Sequence, residues 1–403
     1  MKKQMTIQAF NARLSPLLSI VVLTFFLAAA RLAAQTPIGC GSDLSGSIST
    51  PNEIDPYSLS ASNGDRLRVR GYSSSAGIQL FIRVLSPANV PLDSELADAN
   101  GFVEIDSLVL NSGSGDYIIE VSDGVGSQTG SYGLSVQLLN DINCAGFLNC
   151  SGEYSGSIND LAEMQAYYLS VPAGGGNLRL RIHFPASSAE LRVAVYNPNG
   201  NLVDTLQQPP GGGLLELVSY PMTAAGNWFF IFYDEGGDET TGSFSSSWQL
   251  LNDINCASFL NCAGEYSGSI NDLAEMQAYY LPVPTGGGNL RLRIHFPASS
   301  AELRVAVYNP NGNLVDTLQQ PPGGGLLELV SYPLTAAGNW FFIFYDEGGD
   351  ETTGSFSSSW QLLLSTCANN IICGGSTSPS LSTIAEMDAY YFTAQPGGNV
   401  TIT

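Results

Sequence analysis

The chain has 403 residues, a formal net charge of −22, 12% charged residues and 44% hydrophobic ones. Its only lysines are Lys2 and Lys3, so the rest of the chain can form no Schiff base, phosphate-loop contact or isopeptide crosslink through lysine. Such acidity repels nucleic acid and anionic membrane surfaces, where affinity depends on basic side chains neutralising phosphates, and invites hard cations such as calcium.

Lys2, Lys3 and Arg13 precede an apolar run from Leu17 to Ala30, followed by small residues at Ala33 and Ala34. This layout predicts a secretory signal peptide over residues 1–34, hence a secreted or surface-displayed bacterial protein. Its removal takes four basic residues and no acids, which moves the net charge from −22 to −26. The run is short and wrongly flanked for a membrane span, and nothing downstream approaches eighteen consecutive apolar residues. A lipid anchor at Cys40 is disfavoured by Pro37 and Arg31.

Internal repeats organise the rest. Residues 140–251 and 252–363 align without a gap and differ at five positions, the mark of a recent tandem duplication. Residues 35–139 form a diverged copy, in which "GDRLRVR" corresponds to "GGNLRLR". A fourth copy opens over 364–403 with "CANNIIC" and "EMDAYYF" and has only its first strands written, which reads as part of a longer product.

Each copy reads as β-structure. "NLRLRIHF" alternates Leu178, Leu180, Ile182 and Phe184 with Arg179, Arg181 and His183, which places apolar groups on one face and charges on the other. "ELRVAVY" repeats the pattern with Leu191, Val193 and Val195, and Asn197-Pro198-Asn199-Gly200 then supplies a hairpin turn. "GLLELVSY", "GNWFFIFYD" and "GSFSSSWQLL" add later strands, and only "INDLAEMQ" could pass for a helical turn. About eight short strands in roughly 110 residues predict an all-β fold, one antiparallel jelly-roll-like sandwich per copy.

These motifs carry a resemblance. A short "SGSI" strand, an acid-containing "E[MI][DQ]xY" strand, a Gly-led alternating strand and "TGS[YF]" before the last strand resemble the bacterial pre-peptidase C-terminal domain. The matching positions are Glu53, Asp55 and Tyr57; Glu163, Gln165 and Tyr167; Glu275, Gln277 and Tyr279; and Glu386, Asp388 and Tyr390. The resemblance implies sandwiches appended to secreted enzymes or surface proteins, some of them binding calcium or matrix polymers. Gln165 and Gln277 replace the acid in copies two and three, which puts a cation role there in doubt.

Cysteines recur in pairs six residues apart at each seam. In an oxidising compartment Cys144 with Cys150, Cys256 with Cys262, and Cys367 with Cys373 read as disulfides that stiffen the seams. The rival is metal ligation, but tetrahedral zinc needs four ligands and both histidines, His183 and His295, lie on mid-copy strands. Cys40 aligns with the second cysteine of each pair while its missing partner falls at Ala34, leaving a free thiol or one that pairs between molecules.

No catalytic constellation is visible. The histidines share a strand face with arginines and have no Ser or Cys nucleophile motif beside them, and no hydrolase, zincin, phosphate-loop or dinucleotide signature occurs. The densest carboxylates are Asp234, Glu235, Asp238 and Glu239, repeated as Asp346, Glu347, Asp350 and Glu351. These glycine-bent tips are either solvated acidic turns or calcium ligands; copy one keeps only Asp123 there, with its own acidic loop at Asp93, Glu95 and Asp98. Two functions follow: a non-catalytic adhesive and spacer array that holds an extracellular polymer, protein or glycan, or accessory modules of a secreted hydrolase whose catalytic domain lies outside these residues. Modules placed directly after a signal peptide favour the first.

Overall fold

A computed structural model describes residues 35–401 apart from 74, 76, 187–189, 236–241, 299–301, 348–353 and 398. The expected signal peptide, Asp238, Glu239, Asp350 and Glu351 therefore lie outside the described residues.

Three modules repeat one nine-stranded plan. In the first, β1 (Thr36–Pro37), β2 (Ser42–Ile48), β3 (Ile54–Ala61), β4 (Asp65–Tyr72), β5 (Leu80–Leu85), β6 (Pro91–Leu96), β7 (Phe102–Leu110), β8 (Gly115–Asp123) and β9 (Gly130–Leu138) follow one another. They form a five-stranded sheet, β1-β3-β8-β5-β6, and a four-stranded sheet, β2-β9-β4-β7. All pairings are antiparallel except β1 with β3. The strand missed in sequence is the two-residue opener, too short to show a period. "INDLAEMQ" is no helix: Asp160 turns the chain by accepting from the Ala162 amide at 2.8 Å, and Met164 already begins a strand.

The second module spans β10 (Gly146–Phe147), β11 (Ser151–Ile158), β12 (Met164–Val171), β13 (Gly176–Phe184), β14 (Leu191–Tyr196), β15 (Leu202–Gln207), β16 (Gly213–Met222), β17 (Gly226–Asp234) and β18 (Gly242–Leu251). The third repeats it from β19 (Ser258–Phe259) through β20 (Ala263–Ile270), β21 (Met276–Val283), β22 (Gly288–Phe296), β23 (Leu303–Tyr308), β24 (Leu314–Gln319), β25 (Gly325–Leu334), β26 (Gly338–Asp346) and β27 (Gly354–Leu362). Of copy four, β28 (Asn369–Asn370) pairs in parallel with β29 (Tyr390–Tyr391), as β10 does with β12.

Alternation sets the core. Leu178, Leu180 and Ile182 point between the sheets and are fully buried, beside Trp248 of the same sheet and in one core with Val193, Phe230 and Phe232 of the other. Phe232 and Phe244 stack at 3.9 Å, and each such side chain contributes about 1.5–3 kcal/mol through burial. In module one Tyr132 stands where Phe244 does, and its hydroxyl donates to Asp55 at 2.6 Å. Where the ring loses its hydroxyl the acid becomes Gln165, which donates instead to the Ser157 carbonyl at 2.5 Å. The Asp-to-Gln change is thus matched to the Tyr-to-Phe change beside it.

The disulfides differ from the expected six-residue loops. Cys40 joins Cys144, Cys150 joins Cys256 and Cys262 joins Cys367, at sequence separations of 104, 106 and 105. Cys40 is therefore bonded, and Cys373 is an exposed free thiol. The reason is local: Asp141 caps a 3-10 turn that turns Cys144 into the first core, the next residues run out along β10, and Cys150 lies against the second core. The two cysteines of a pair serve adjacent modules. Each bond ties a module's entry to its exit, and closing a loop of about 100 residues is worth about 4.7 kcal/mol on the chain-entropy estimate.

Candidate functional site: the seams between modules

The arginine-bearing faces of β4 and β13 are not solvated. Arg68, Arg70, Arg179 and Arg181 are each under 5% exposed, because the four-stranded sheet of one module packs its outer face against the five-stranded sheet of the next. At the first seam the Arg68 guanidinium lies 4.1 Å above the Tyr233 ring and donates to the Tyr196 hydroxyl at 3.3 Å. Arg70 donates to the backbone carbonyls of Asp234 and, at 3.4 Å, Glu163. Glu104 pairs with both arginines. The second seam repeats the set: Arg179 lies 4.1 Å above the Tyr345 ring and donates to Tyr308 at 2.6 Å, Arg181 donates to the Asp346 and Glu275 carbonyls, and Glu216 pairs with both.

A bulge positions the clamp. Register slips between Leu178 and Leu180 where β13 meets β16, and the irregularity leaves the Val218 carbonyl free to accept the Tyr308 hydroxyl at 2.8 Å. Apolar packing surrounds it. Leu139 of module one is buried among Met164, Tyr196, Phe229, Ile231 and Tyr233, and Leu251 among Tyr308, Phe341, Ile343 and Tyr345. The Asn-Gly hairpins expected from sequence also dock here: Ser219 donates to the Gly312 carbonyl at 2.9 Å and Asn177 to the Asn311 carbonyl at 3.0 Å. Gly312 sits at φ 74°, and an added Cβ would meet Asn252 Oδ1 at 2.2 Å, so this position requires glycine.

Burial lowers the Arg70 and Arg181 guanidinium pKa values to about 10, against the pull of Glu104 and Glu216, with Arg68 and Arg179 adding to the fall. Both stay charged at neutral pH. For Arg68 burial acts downward too, but Glu104, Tyr196 and Asp106 outweigh it and the pKa is raised. Burial pushes the Tyr308 hydroxyl up to about 12, against Arg179. A buried guanidinium over an aromatic ring is worth about 2 kcal/mol, and stripping its hydrogen-bond partners costs about 1–3 kcal/mol more.

A cleft of about 390 Å³ opens beside the first seam, bordered by Asp43, Tyr72, Tyr132, Asp160 and Glu163. The Asp43 side chain reaches solvent, yet its carboxyl is raised, chiefly because the neighbouring wall removes part of its water, with Glu163 and Asp160 adding to the effect.

Of the expected calcium tips, Asp234, Glu235, Asp346 and Glu347 are among the described residues. Asp234 is buried and its carboxylate accepts from the Glu190 amide at 3.0 Å, while Glu235 pairs with Arg192. Asp346 accepts from the Glu302 amide at 2.8 Å and Glu347 pairs with Arg304. Those four carboxylates are engaged by their own module. Among the described residues, the clusters with metal-ligand proximity combine Asp141 with Cys40 and Cys144, and Asp253 with Cys150 and Cys256, and those cysteines are oxidised. No helix among the described residues is long and apolar enough to cross a membrane.

Sequence reasoning missed the seams, although one signal was present. "WFFIFY" in β17 is apolar at successive positions rather than alternate ones, and a strand apolar on both faces is a strand covered on both faces.

No family model matches the chain. It is similar to the pre-peptidase C-terminal domain of a collagenase from Bacillus anthracis, at 18% identity over 27% of this chain and 98% of that one, with a TM-score of 0.23. It is also similar to a triple jelly-roll protein from an archaeal virus, at 11% identity over 81% of this chain and 84% of that one, TM-score 0.18. A third likeness is to tripeptidyl peptidase 2, at 8% identity over 81% of this chain and 33% of that one, TM-score 0.21. The chain is a multi-module β-sandwich protein of jelly-roll type.

Proposed function

We propose that the protein is an exported, non-catalytic spacer and binding array, whose sandwiches are held in fixed relative orientation to present a surface to an extracellular polymer, protein or glycan. The observation that carries this reading is the pair of seams. Module two devotes both outer sheet faces to its neighbours through the same arginine–tyrosine clamp, an arrangement that favours defined spacing over catalysis. Three disulfides suit an oxidising, extracellular setting.

Small-angle scattering of the mature chain and of Arg68→Ala/Arg179→Ala tests it. The wild type is expected to give a single narrow set of inter-module distances and the variant a broadened one; indistinguishable curves would contradict the reading. Saturable hydrolysis of casein, gelatin or a polysaccharide by the purified chain would replace it with a catalytic one.

A further inference from the structure

The three disulfides and the seams together form a continuous covalent route along the array. It enters at Cys40, crosses to Cys144, runs six residues to Cys150, crosses to Cys256, runs six residues to Cys262 and crosses to Cys367. At each crossing the paired Cα atoms lie 5.2, 5.2 and 5.5 Å apart. Each sandwich hangs from this route as a closed loop. We propose that the protein is built to carry tension, with pulling force shunted through the disulfides so that no module between Cys40 and Cys367 can be drawn out. This rests on the spacer reading, since only an array held at both ends is pulled.

The magnitudes separate two regimes. Residues in an extended chain span at most about 3.3–3.6 Å each, so the crosslinked route from Cys40 to Cys367 reaches roughly 60 Å even with both short links straightened. The same stretch without disulfides reaches roughly 1,100 Å, with each opened module releasing roughly 350 Å. Seam pairing by cysteines six residues apart would leave every module free to extend. The observed pairing leaves none. With no lysine after residue 3, lysine-based isopeptide staples are unavailable and cystine is the covalent staple the chain has.

Single-molecule pulling on the mature chain, held by its two ends, tests the proposal. The oxidised chain, with one titratable thiol at Cys373, is expected to show no step near 350 Å at any force that leaves the disulfides intact; the segment beyond Cys367 gives a shorter extension. After reduction three steps near 350 Å appear, and Cys150→Ser/Cys256→Ser shows one without reductant. A step near 350 Å from the oxidised wild type overturns the proposal, and so does the absence of steps after reduction, because the sandwiches would then resist force by themselves. If the variant or the reduced chain does not fold, the oxidised trace alone decides. Scattering would still report the docking of modules if pulling failed, so the two readings fail separately.

Discussion

The outer face of the five-stranded sheet in module one differs from the same face in module two, although the backbones follow one plan. In module two Ala194 lies opposite Ile231, flanked by Ala166, Tyr196 and Tyr233, and the face is buried under module one. In module one Arg83 stands opposite Glu120, as an ion pair, and Pro56, Ser58 and Ser122 occupy the positions of Ala166, Tyr168 and Tyr233. Module three follows module two, with Ala306 opposite Ile343. A repeat that stacks needs an aromatic and apolar outer face, whereas one that meets water needs a polar one. The difference lies in a few outward side chains on strands whose inward residues stay apolar throughout.

The opposite end supplies the complementary contrast. Leu139 and Leu251 are fully buried at the two seams, while Leu363 is 47% exposed. The Arg291 side chain is 45% exposed and pairs with Glu328, where Arg179 is buried beneath Tyr345. Arg293 already donates to the Glu386 carbonyl of copy four at 3.0 Å, the bond that Arg181 makes to Glu275. The same arginines are therefore surface or core residues according to what covers them.

Substitution of the two kinds of arginine sharpens this contrast most. Arg181→Ala strips the Asp346 and Glu275 carbonyls of a buried donor and is expected to cost about 3–5 kcal/mol of seam stability. In calorimetry it would split the unfolding of modules two and three, while Arg291→Ala, on the exposed face, would cost under about 1 kcal/mol. Equal effects would break the comparison.

Transplanting the polar face comes next. Ala194→Arg with Ile231→Glu places module one's ion pair inside the first seam, against Arg68 and Arg70. We expect module two to keep its core but release from module one, seen as new proteolysis between residues 139 and 150 at a cost of about 2–4 kcal/mol. Gly312→Ala follows, at about 1–3 kcal/mol, because its positive φ and its approach to Asn252 oppose a side chain. Gly323→Ala, also at positive φ but with open space around it, is expected to cost less, and thermal melts of the two compare strain alone with strain plus contact.

The smallest effect concerns pH. The Asp43 carboxyl is raised in the folded protein, so its contribution is fully present below the ordinary carboxylate pKa of about 4 and is lost as pH rises through the raised value. Asp43→Asn should flatten the change in melting temperature between pH 4 and pH 7, and an unchanged profile would remove Asp43 from the account.

The sandwich was legible in the sequence because its period-two strands and its Asn-Gly turns are local signals. The alternation of Leu178, Leu180 and Ile182 identified the inward face. The seams were not legible in the same way, since the sign of a charge does not reveal whether the next domain covers it. Nothing in the strand's own sequence marks that Arg179 lies against Tyr308 and Tyr345 and Arg181 against Tyr345. The cysteine pairs misled for a related reason: six residues of separation are close in sequence, but β10 and β19 carry the second cysteine of each pair into the following module.

That pairing decides whether each module is a closed loop. Blocking of free thiols, then proteolysis of the unreduced chain at acidic residues and after phenylalanine, which cuts between Cys144 and Cys150 at Phe147 and between Cys256 and Cys262 at Phe259, followed by mass spectrometry, is expected to return peptides joining Cys40 to Cys144, Cys150 to Cys256 and Cys262 to Cys367, with Cys373 carrying the block. Recovery of Cys144 linked to Cys150, or Cys256 linked to Cys262, would contradict it.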